Sequence, residues 1–320
     1  MTPRGAPSAA MAAGAARFGA RSRDWLLLLK PRLMSLVVFT GLTGLLAASR
    51  PLEPARALLA MICIAVGAGG SGALNMWWDA DIDAKMRRTR ARPIPVGRVK
   101  RAEALALGLA CSLVSVLAMG LVVNRLAAGL LAFTIFFYAV VYTMWLKRST
   151  PQNIVIGGLA GALPPVIGWA AASGTAPPNA WLLCAIIFFW TPPHFWSLSL
   201  YASEDFARAG LPMMPLVKGA AATRRQILIY SFILAPLAVA PSFTGLAGGL
   251  YLFVSAIGGL AFLRLALRLA ASRAGEIDAD GARLDAQTAR QLFGFSILYL
   301  SLLFASLLLE KLTGIPPLAV

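Results

Sequence analysis

Long apolar runs recur along almost the whole chain, and each is about as long as a membrane-spanning helix. Roughly 20 apolar residues in a helix cross the hydrocarbon core of a bilayer. By this criterion the sequence predicts nine spans, at residues 32–49, 57–77, 102–122, 126–146, 154–173, 180–201, 226–244, 247–268 and 291–309. Only the short stretch "FTGLAGG" separates the seventh and eighth runs, so eight spans is the alternative. The pattern predicts an all-α polytopic membrane protein.

Composition supports this class, because 59% of the 320 residues are hydrophobic and only 13% are charged. A soluble domain of this length is less apolar. We expect a transmembrane domain over residues 30–312, preceded by a disordered cytoplasmic tail, 1–29, and followed by a short C-terminal tail, 313–320. The first tail is rich in Ala, Gly and Arg, so a mitochondrial transit peptide is an alternative interpretation of it.

The net charge of +16 is distributed unevenly between the two sides of the predicted bundle. With the N-terminus inside and nine alternating spans, 25 of the 29 Lys and Arg residues fall on the cytoplasmic side. Cytoplasmic loops of membrane proteins carry such an excess. The charge therefore predicts an N-inside, C-outside topology and gives no reason to expect a nucleic-acid partner.

Acidic residues follow the second apolar run directly, in "NMWWDADID". Asn75, Asp79 and Asp83 are spaced four apart, so a continuing helix would place them on one face, with Asp81 pointing away. Magnesium prefers oxygen ligands and commonly takes one or two carboxylates together with phosphate oxygens. The spacing favours a magnesium-diphosphate site. The alternative is a solvated helix end whose acids pair with the basic loop that follows.

Cationic residues are predicted on the same side of the membrane as these acids. Arg92 belongs to the basic stretch 85–101, and "YTMWLKR" brings Tyr142, Lys147 and Arg148 to the end of the fourth span. Cations stabilise a bound diphosphate and its departure as a leaving group. Acids for a metal and bases for phosphates on one side indicate a binding site.

A second polar cluster closes the sixth span, in "TPPHFWSLSLYASEDFAR". Glu204 and Asp205 follow His194, the chain's only histidine. Pro192 and Pro193 are expected to break or kink the helix beside it. His194 is either a hydrogen-bonded packing residue or a residue that contacts a porphyrin or transfers a proton.

Four stretches together resemble a known family: "KPRLMSLVVFTGLTGLL", "NMWWDADIDAKMRRTRARPIPVGRV", "YTMWLKRSTPQNIVIGGLAGALPPVIGW" and "WTPPHFWSLSLYASEDFARAGLPMMP". They are similar to the signatures of the intramembrane UbiA-type prenyltransferase superfamily, and within it of the protohaem IX farnesyltransferases. The resemblance implies nine helices around a central cavity, with Mg²⁺ bound by Asn75, Asp79 and Asp83. Asp205 is matched to a second metal motif, which in the superfamily has two spaced acids.

The resemblance implies transfer of farnesyl from farnesyl diphosphate to a vinyl group of haem B, with addition of water. Arg92, Lys147 and Arg148 would bind phosphate, Tyr142 would face the allylic cation, and His194 would meet haem. It implies a bacterial inner membrane, with the mitochondrial inner membrane as alternative, and a downstream haem A synthase or terminal oxidase assembly. Two other functions stay open: prenylation of a quinone precursor such as 4-hydroxybenzoate, and a transporter or assembly scaffold.

Overall fold

The computed structural model describes residues 22–48, 50, 52–277 and 284–318, which fold as helices and their connections without a β-strand. The main helices are α1 (Ser22–Leu28), α2 (Pro31–Ala47), α3 (Pro54–Trp78), α4 (Arg101–Val123), α5 (Arg125–Ser149), α6 (Asn153–Ser173), α7 (Pro178–Tyr201), α8 (Ala220–Phe243), α9 (Gly249–Ala271) and α10 (Ala286–Thr313). Short helices Ala80–Asp83, Ser203–Arg208 and Met214–Val217 lie in the connections.

Eight of these helices, α3 to α10, are long and apolar enough to cross a membrane, so the chain is a multi-pass membrane protein. The seventh and eighth predicted spans are the separate helices α8 and α9, so the alternative that merges them is wrong. The uncertain span is the first. Helix α2 has 17 residues and is bent by 52° from α1, and the two count as a ninth span only if taken together.

Six helices enclose the centre of the bundle. Helix α2 packs against α3 and α10, α3 against α5, α5 against α6, α6 against α7, and α7 against α10, which closes the ring. The other three spanning helices pack outside it, α4 on α3, α8 on α7, and α9 on α8 and α10. The ring surrounds an apolar cavity of about 330 Å³, in agreement with the expectation of a central cavity.

Glycines allow α2 and the second half of α6 to approach closely. A Cβ added at Gly44 would lie 2.0 Å from the carbonyl oxygen of Pro165, and one at Gly168 would lie 1.9 Å from that of Gly41. Pro164 begins this half of α6, where a proline is tolerated because the first turn of a helix lacks amide partners. Small residues at such contacts hold membrane helices together by backbone packing.

The structure describes part of each predicted tail. Residues 1–21 lie outside the described chain, but Ser22–Leu28 is a helix rather than disordered chain. Its Leu28 is fully buried, and Asp24 accepts a 2.9 Å hydrogen bond from Arg98. At the other end, the Leu318 amide donates to the carbonyl of Ala247. A buried leucine and an ion pair hold the N-terminal helix on the bundle, and a backbone hydrogen bond holds the C-terminal segment.

Two helices depart from regular α geometry beside the cavity. In α5 the residues Phe137–Leu146 form a π-helical turn, a rare feature that often marks functional sites. Helix α7 continues through Pro192 and Pro193, so the predicted break does not occur. Neighbouring helices bury these prolines, and the Ser197 hydroxyl donates to the carbonyl of Pro193. The missing amides leave the carbonyls of Phe188 and Phe189 without their helical donors, so packing within the bundle, rather than this hydrogen bond, keeps α7 continuous.

Candidate active site

The predicted acidic residues form a buried ladder at the end of α3. Asn75 Nδ2 donates to Asp79 Oδ2 at 2.8 Å, and the backbone amides of Asp79 and Asp83 continue the helical hydrogen bonds. Asp79 is 0% and Asp83 1% exposed. The second donor hydrogen of Asn75 reaches Thr143 Oγ1 in the π-helical turn of α5. The helical spacing predicted from the sequence is confirmed.

Each buried carboxylate has a cationic partner from another part of the chain. Lys147 donates to Asp79 Oδ2, and Arg92 Nη1 lies 2.6 Å from Asp83 Oδ2. Arg92 reaches Asp83 because the connection after α3 turns back on itself, with Thr89 bonded to the Asp83 carbonyl. Burying a charge is costly unless it is paired, so the acids and bases stabilise one another.

Arg148 and Asp81 form the exposed edge of this cluster of acidic and basic side chains. Arg148 donates from Nη1 and Nη2 to the two carboxylate oxygens of Asp81, at 2.9 and 2.8 Å. These hydrogen bonds are the main reason that the pKa of Asp81 lies below its usual value. Arg148 also lies 3.6 Å from Asp79 Oδ1. Asp81 therefore points away from the ladder, as its spacing predicts.

One oxygen of each buried carboxylate is left without a hydrogen bond. Asp79 Oδ1 and Asp83 Oδ1 are buried and lack a hydrogen-bond donor in the described chain. An unmatched buried carboxylate oxygen is costly, and an oxygen-seeking cation would satisfy it. The donor set therefore fits Mg²⁺. No three acidic, histidine or cysteine side chains within the described ranges are placed to share a metal, so Asn75 or a phosphate must complete the coordination.

Lys30 is a member of this group that the sequence did not reveal. It lies at the bend between α1 and α2, is 9% exposed, and its Nζ donates to Asn75 Oδ1. The same Nζ lies 6.0 Å from the ring centre of Tyr138. Its backbone is left-handed, with φ of 51°, which a non-glycine residue adopts at a cost of about 1–3 kcal/mol. The signal was present in "LKPRL", where a lysine precedes an apolar helix, but it was counted only as topology.

Asp205 belongs to a neighbouring contact rather than to the ladder. Its Oδ1 accepts a 3.1 Å hydrogen bond from the backbone amide of Arg87, and Arg208 donates to the same oxygen. Partial burial raises the pKa of Asp205, but these hydrogen bonds outweigh it and leave the pKa below its usual value. The adjacent Phe206 ring lies 4.6 Å from the guanidinium of Arg88. Asp205 thus fastens the short helix Ser203–Arg208 to the basic connection that carries Arg92.

The cavity begins beside the polar group. Ser71 and Tyr142 line it, Asn75 lies one helical turn beyond Ser71, and Thr143 follows Tyr142. The Tyr138 and Tyr142 ring centres lie 5.5 Å apart with the rings tilted by 31°, and Gly157 leaves room for Tyr142, since a Cβ there would lie 2.2 Å from its ring. The remaining lining is apolar apart from a few hydroxyls and one imidazole. A polar end and an apolar interior suit a ligand with a charged head and a hydrocarbon chain.

His194 is that imidazole, in the wall formed by α7. It stacks on Trp190 at 4.3 Å and on Phe293 of α10 at 4.6 Å between ring centres. Its Nδ1 lies 2.7 Å from the hydroxyl oxygen of Ser296. The side chain is both packed and in contact with the cavity, so the two interpretations offered for it are compatible.

Known proteins resemble this chain in sequence and in fold. The model of the UbiA prenyltransferase family matches residues 37–282. The chain belongs to the UbiA prenyltransferase family. It is 64% identical over 312 residues to a protein of Caulobacter vibrioides named protoheme IX farnesyltransferase, covering 93% of this chain and 94% of the relative. A relative of the same name from Azorhizobium caulinodans is 59% identical over 290 residues, covering 91% and 92%.

Solved structures share the fold of this UbiA family member. A digeranylgeranylglyceryl phosphate synthase matches with a TM-score of 0.73 at 15% identity, over 91% of this chain and 98% of that one. A UbiA homolog from Archaeoglobus fulgidus, bound to GPP and Mg²⁺, matches with a TM-score of 0.62 at 17% identity, over 89% and 99%. Membership of a prenyltransferase family makes the chain an enzyme, which excludes the transporter or scaffold alternative.

Proposed function

We propose that the chain transfers the farnesyl group of farnesyl diphosphate to a vinyl group of protohaem IX, giving haem O and diphosphate. The bond from farnesyl C1 to the diphosphate oxygen breaks, and C1 bonds to the outer vinyl carbon. Water adds to the inner vinyl carbon and releases a proton. The observation that carries the proposal is the pair of buried carboxylates among cations at the polar end of an apolar cavity. The names of relatives 59% and 64% identical support the haem acceptor.

Asn75, Asp79 and Asp83 would hold Mg²⁺, which when bound withdraws charge from the diphosphate leaving group. The unpaired oxygens of the two aspartates support this assignment. Asp205 is proposed as the second metal position. The present pairing of Asp205 with Arg208 and the Arg87 amide would have to open for that role.

Lys147, Arg92 and Arg148 are proposed to bind the phosphate oxygens. Lys147 and Arg92 now neutralise Asp79 and Asp83, and a metal that takes over these two carboxylates would free both cations for the diphosphate. Arg148 would have to exchange its contact with the exposed Asp81 for the phosphate. Guanidinium groups suit bidentate phosphate contact. Lys30, held by Asn75, would be released in the same way. The ladder would thus exchange internal ion pairs for contacts with the substrate.

The cavity walls are proposed to protect and orient the reacting carbons. Tyr142, with the tilted ring of Tyr138 beside it, presents an aromatic face near the diphosphate end, where it would stabilise an allylic cation. The apolar lining beyond would hold the farnesyl chain and keep water from the cation. His194, farther along the wall, is proposed to contact the haem.

Nine spans with the N-terminus inside are also part of the proposal. At about 1.5 Å per residue, α2 is roughly 25 Å long, slightly less than the hydrocarbon core of about 30 Å. Its place in the ring beside α6 and α10 supports a spanning role. Cysteine labels in 85–101, 203–225 and 270–290 should react from the cytoplasm and one at Lys311 from the opposite side. Because α3–α10 alone already place Lys311 outside, the label that tests the first span is one at Ser22, which should react from the cytoplasm; reaction there from the opposite side would contradict nine spans.

We place the chain in the bacterial inner membrane, where haem A synthase or a terminal oxidase assembly would receive the product.

The decisive assay uses membranes containing the chain, haem B, farnesyl diphosphate and Mg²⁺, with product masses measured by chromatography and mass spectrometry. We expect the hydroxyethylfarnesyl haem, and none with EDTA or without farnesyl diphosphate. Prenylated 4-hydroxybenzoate in a parallel reaction, without any modified haem, would refute the haem acceptor.

A further inference from the structure

The hydroxyl of Ser296 contacts two groups at once, and only one arrangement of hydrogens satisfies both. Its oxygen lies 2.6 Å from the carbonyl oxygen of Phe293 and 2.7 Å from Nδ1 of His194. Two oxygens at 2.6 Å repel unless a hydrogen lies between them, and a carbonyl can only accept. The single hydroxyl hydrogen therefore points to Phe293, and the serine oxygen accepts a hydrogen from His194.

This arrangement fixes the tautomer of the neutral imidazole. With the proton on Nδ1, the lone pair is on Nε2. Nε2 makes no hydrogen bond within the described chain, and it is not among the buried unpaired atoms there. Trp190 and Phe293 are stacked on the imidazole ring of His194, and Ser296 is hydrogen-bonded to its Nδ1 edge. The edge that carries Nε2 is thus the part of His194 left to face the cavity that it lines.

We infer that Ser296 is a positioning residue: it holds His194 in the Nδ1–H tautomer and so presents the Nε2 lone pair to the iron of the haem substrate. Histidines that bind metals commonly donate their other ring N–H to a neighbouring acceptor, which fixes the tautomer and the ring orientation. Haem iron accepts neutral imidazole as an axial ligand. The inference rests on the proposed haem acceptor.

The structure separates this role from simple packing. Trp190 Nε1 donates a 2.7 Å hydrogen bond to the backbone carbonyl of Ser296, not to its hydroxyl. Ser296→Ala therefore keeps this contact between α7 and α10 and removes the acceptor for Nδ1 together with the hydroxyl's bond to the Phe293 carbonyl. Ser306 is a matched control. It lies on the same helix, is buried, and its hydroxyl makes the same type of bond, to the carbonyl of Leu303, without contacting a histidine.

The test compares the full-length protein, purified in detergent, with Ser296→Ala, Ser296→Thr, Ser306→Ala and His194→Ala. Haem B is titrated, and the iron–imidazole stretch of the ferrous complex is recorded by resonance Raman spectroscopy. We expect Ser296→Ala to lower haem affinity about 10-fold or more and to shift this band, since loss of such a partner costs about 10–100-fold. Ser296→Thr should restore both, Ser306→Ala should match the wild type, and His194→Ala should abolish the band.

Binding of farnesyl diphosphate with Mg²⁺ reports on folding, because that site uses other residues. If alanine at 296 prevents folding, Ser296→Cys keeps a similar volume with a weak acceptor and allows the same comparison. Wild-type affinity and an unshifted band in Ser296→Ala would overturn the inference, as would a wild-type complex without an imidazole band. Either result leaves the proposed function intact if the wild type still makes the farnesylated haem. Absence of that product would refute the proposed function itself.

Discussion

The two ends of the cavity satisfy their polar groups in opposite ways. At the ladder, five ionic side chains and an amide pair with one another, and two carboxylate oxygens remain unmatched. At His194, one neutral imidazole is enclosed by two aromatic rings and fixed by one serine. The first region can exchange its ion pairs for a charged ligand. The second offers a single lone pair in a rigid apolar setting.

This difference indicates which kind of interaction would bind each substrate. A diphosphate with its metal would be recognised by charge, which is exchangeable and sensitive to each buried partner. A porphyrin would be recognised by shape, apolar contact and one directional group. Variants at the two ends should therefore fail in different assays.

The largest effect is expected from the ladder. Asp79→Ala or Asp83→Ala should lower farnesyl transfer by at least about 100-fold, because each removes a metal ligand and leaves a cation without its partner. Turnover with farnesyl diphosphate and haem B, at increasing Mg²⁺, measures this loss. Glu53→Ala, at an exposed salt bridge with Arg56, is the control and should keep wild-type turnover. Near-normal activity in both aspartate variants would refute the metal assignment.

The imidazole end should respond in the complementary assay. His194→Ala should reduce haem affinity or turnover at least as much as Ser296→Ala, about 10-fold or more, because it removes the imidazole itself rather than its hydrogen-bond partner. Its affinity for farnesyl diphosphate should stay at the wild-type value. Haem spectra and separate titrations of the two substrates check this. An unchanged haem spectrum with normal turnover would mean that His194 serves only packing. Equal losses of affinity for both substrates would contradict the idea that each end of the cavity binds a different substrate.

Lys30 gives a smaller and more specific effect. Lys30→Met should raise the KM for farnesyl diphosphate about 10-fold, because a hydrogen bond to a charged group is worth about 1.5–3 kcal/mol. Lys30→Arg should recover part of the loss, and Lys218→Met, at an exposed lysine, should have no effect. Kinetics at saturating haem separate KM from kcat. A change confined to kcat or to haem binding would show that Lys30 does not serve the diphosphate.

The smallest effect is expected at Asp81, on the exposed edge of the ladder. Asp81→Ala should change turnover less than about fivefold, because half-exposed ion pairs contribute at most about 1 kcal/mol. The same assay, run beside Asp79→Ala, measures the contrast between two acids in one short stretch. Loss of activity as large as that of Asp79→Ala would mean that the ladder extends to the exposed edge.

The two ends also differ in how far the sequence revealed them. Asn75, Asp79, Asp83 and Arg92 lie within 18 consecutive residues, so helical spacing predicted the grouping of the first three, and the basic stretch placed Arg92 on the same side of the membrane. Lys30 was missed because a lone lysine before a span is explained by topology alone. Ser296 is 102 residues from His194, and serines are common in membrane helices, so no local pattern joins the two. The helical class was confirmed, whereas the length of α2 and the continuity of α7 through its prolines depend on tertiary packing.

The contact between Gly44 and Pro165 also has a consequence for the order of synthesis. Helix α2 leaves the ribosome more than a hundred residues before its partner in α6 exists. At about 5–20 residues per second, that interval is on the order of ten seconds. During this time α2 waits in the bilayer, or in the insertion machinery, with its glycine surface uncovered. A nascent chain arrested before residue 164 should therefore expose a cysteine at position 41, where a Cβ would lie 3.5 Å from the Pro164 carbonyl oxygen, to a membrane-soluble thiol reagent, whereas the finished chain should protect it.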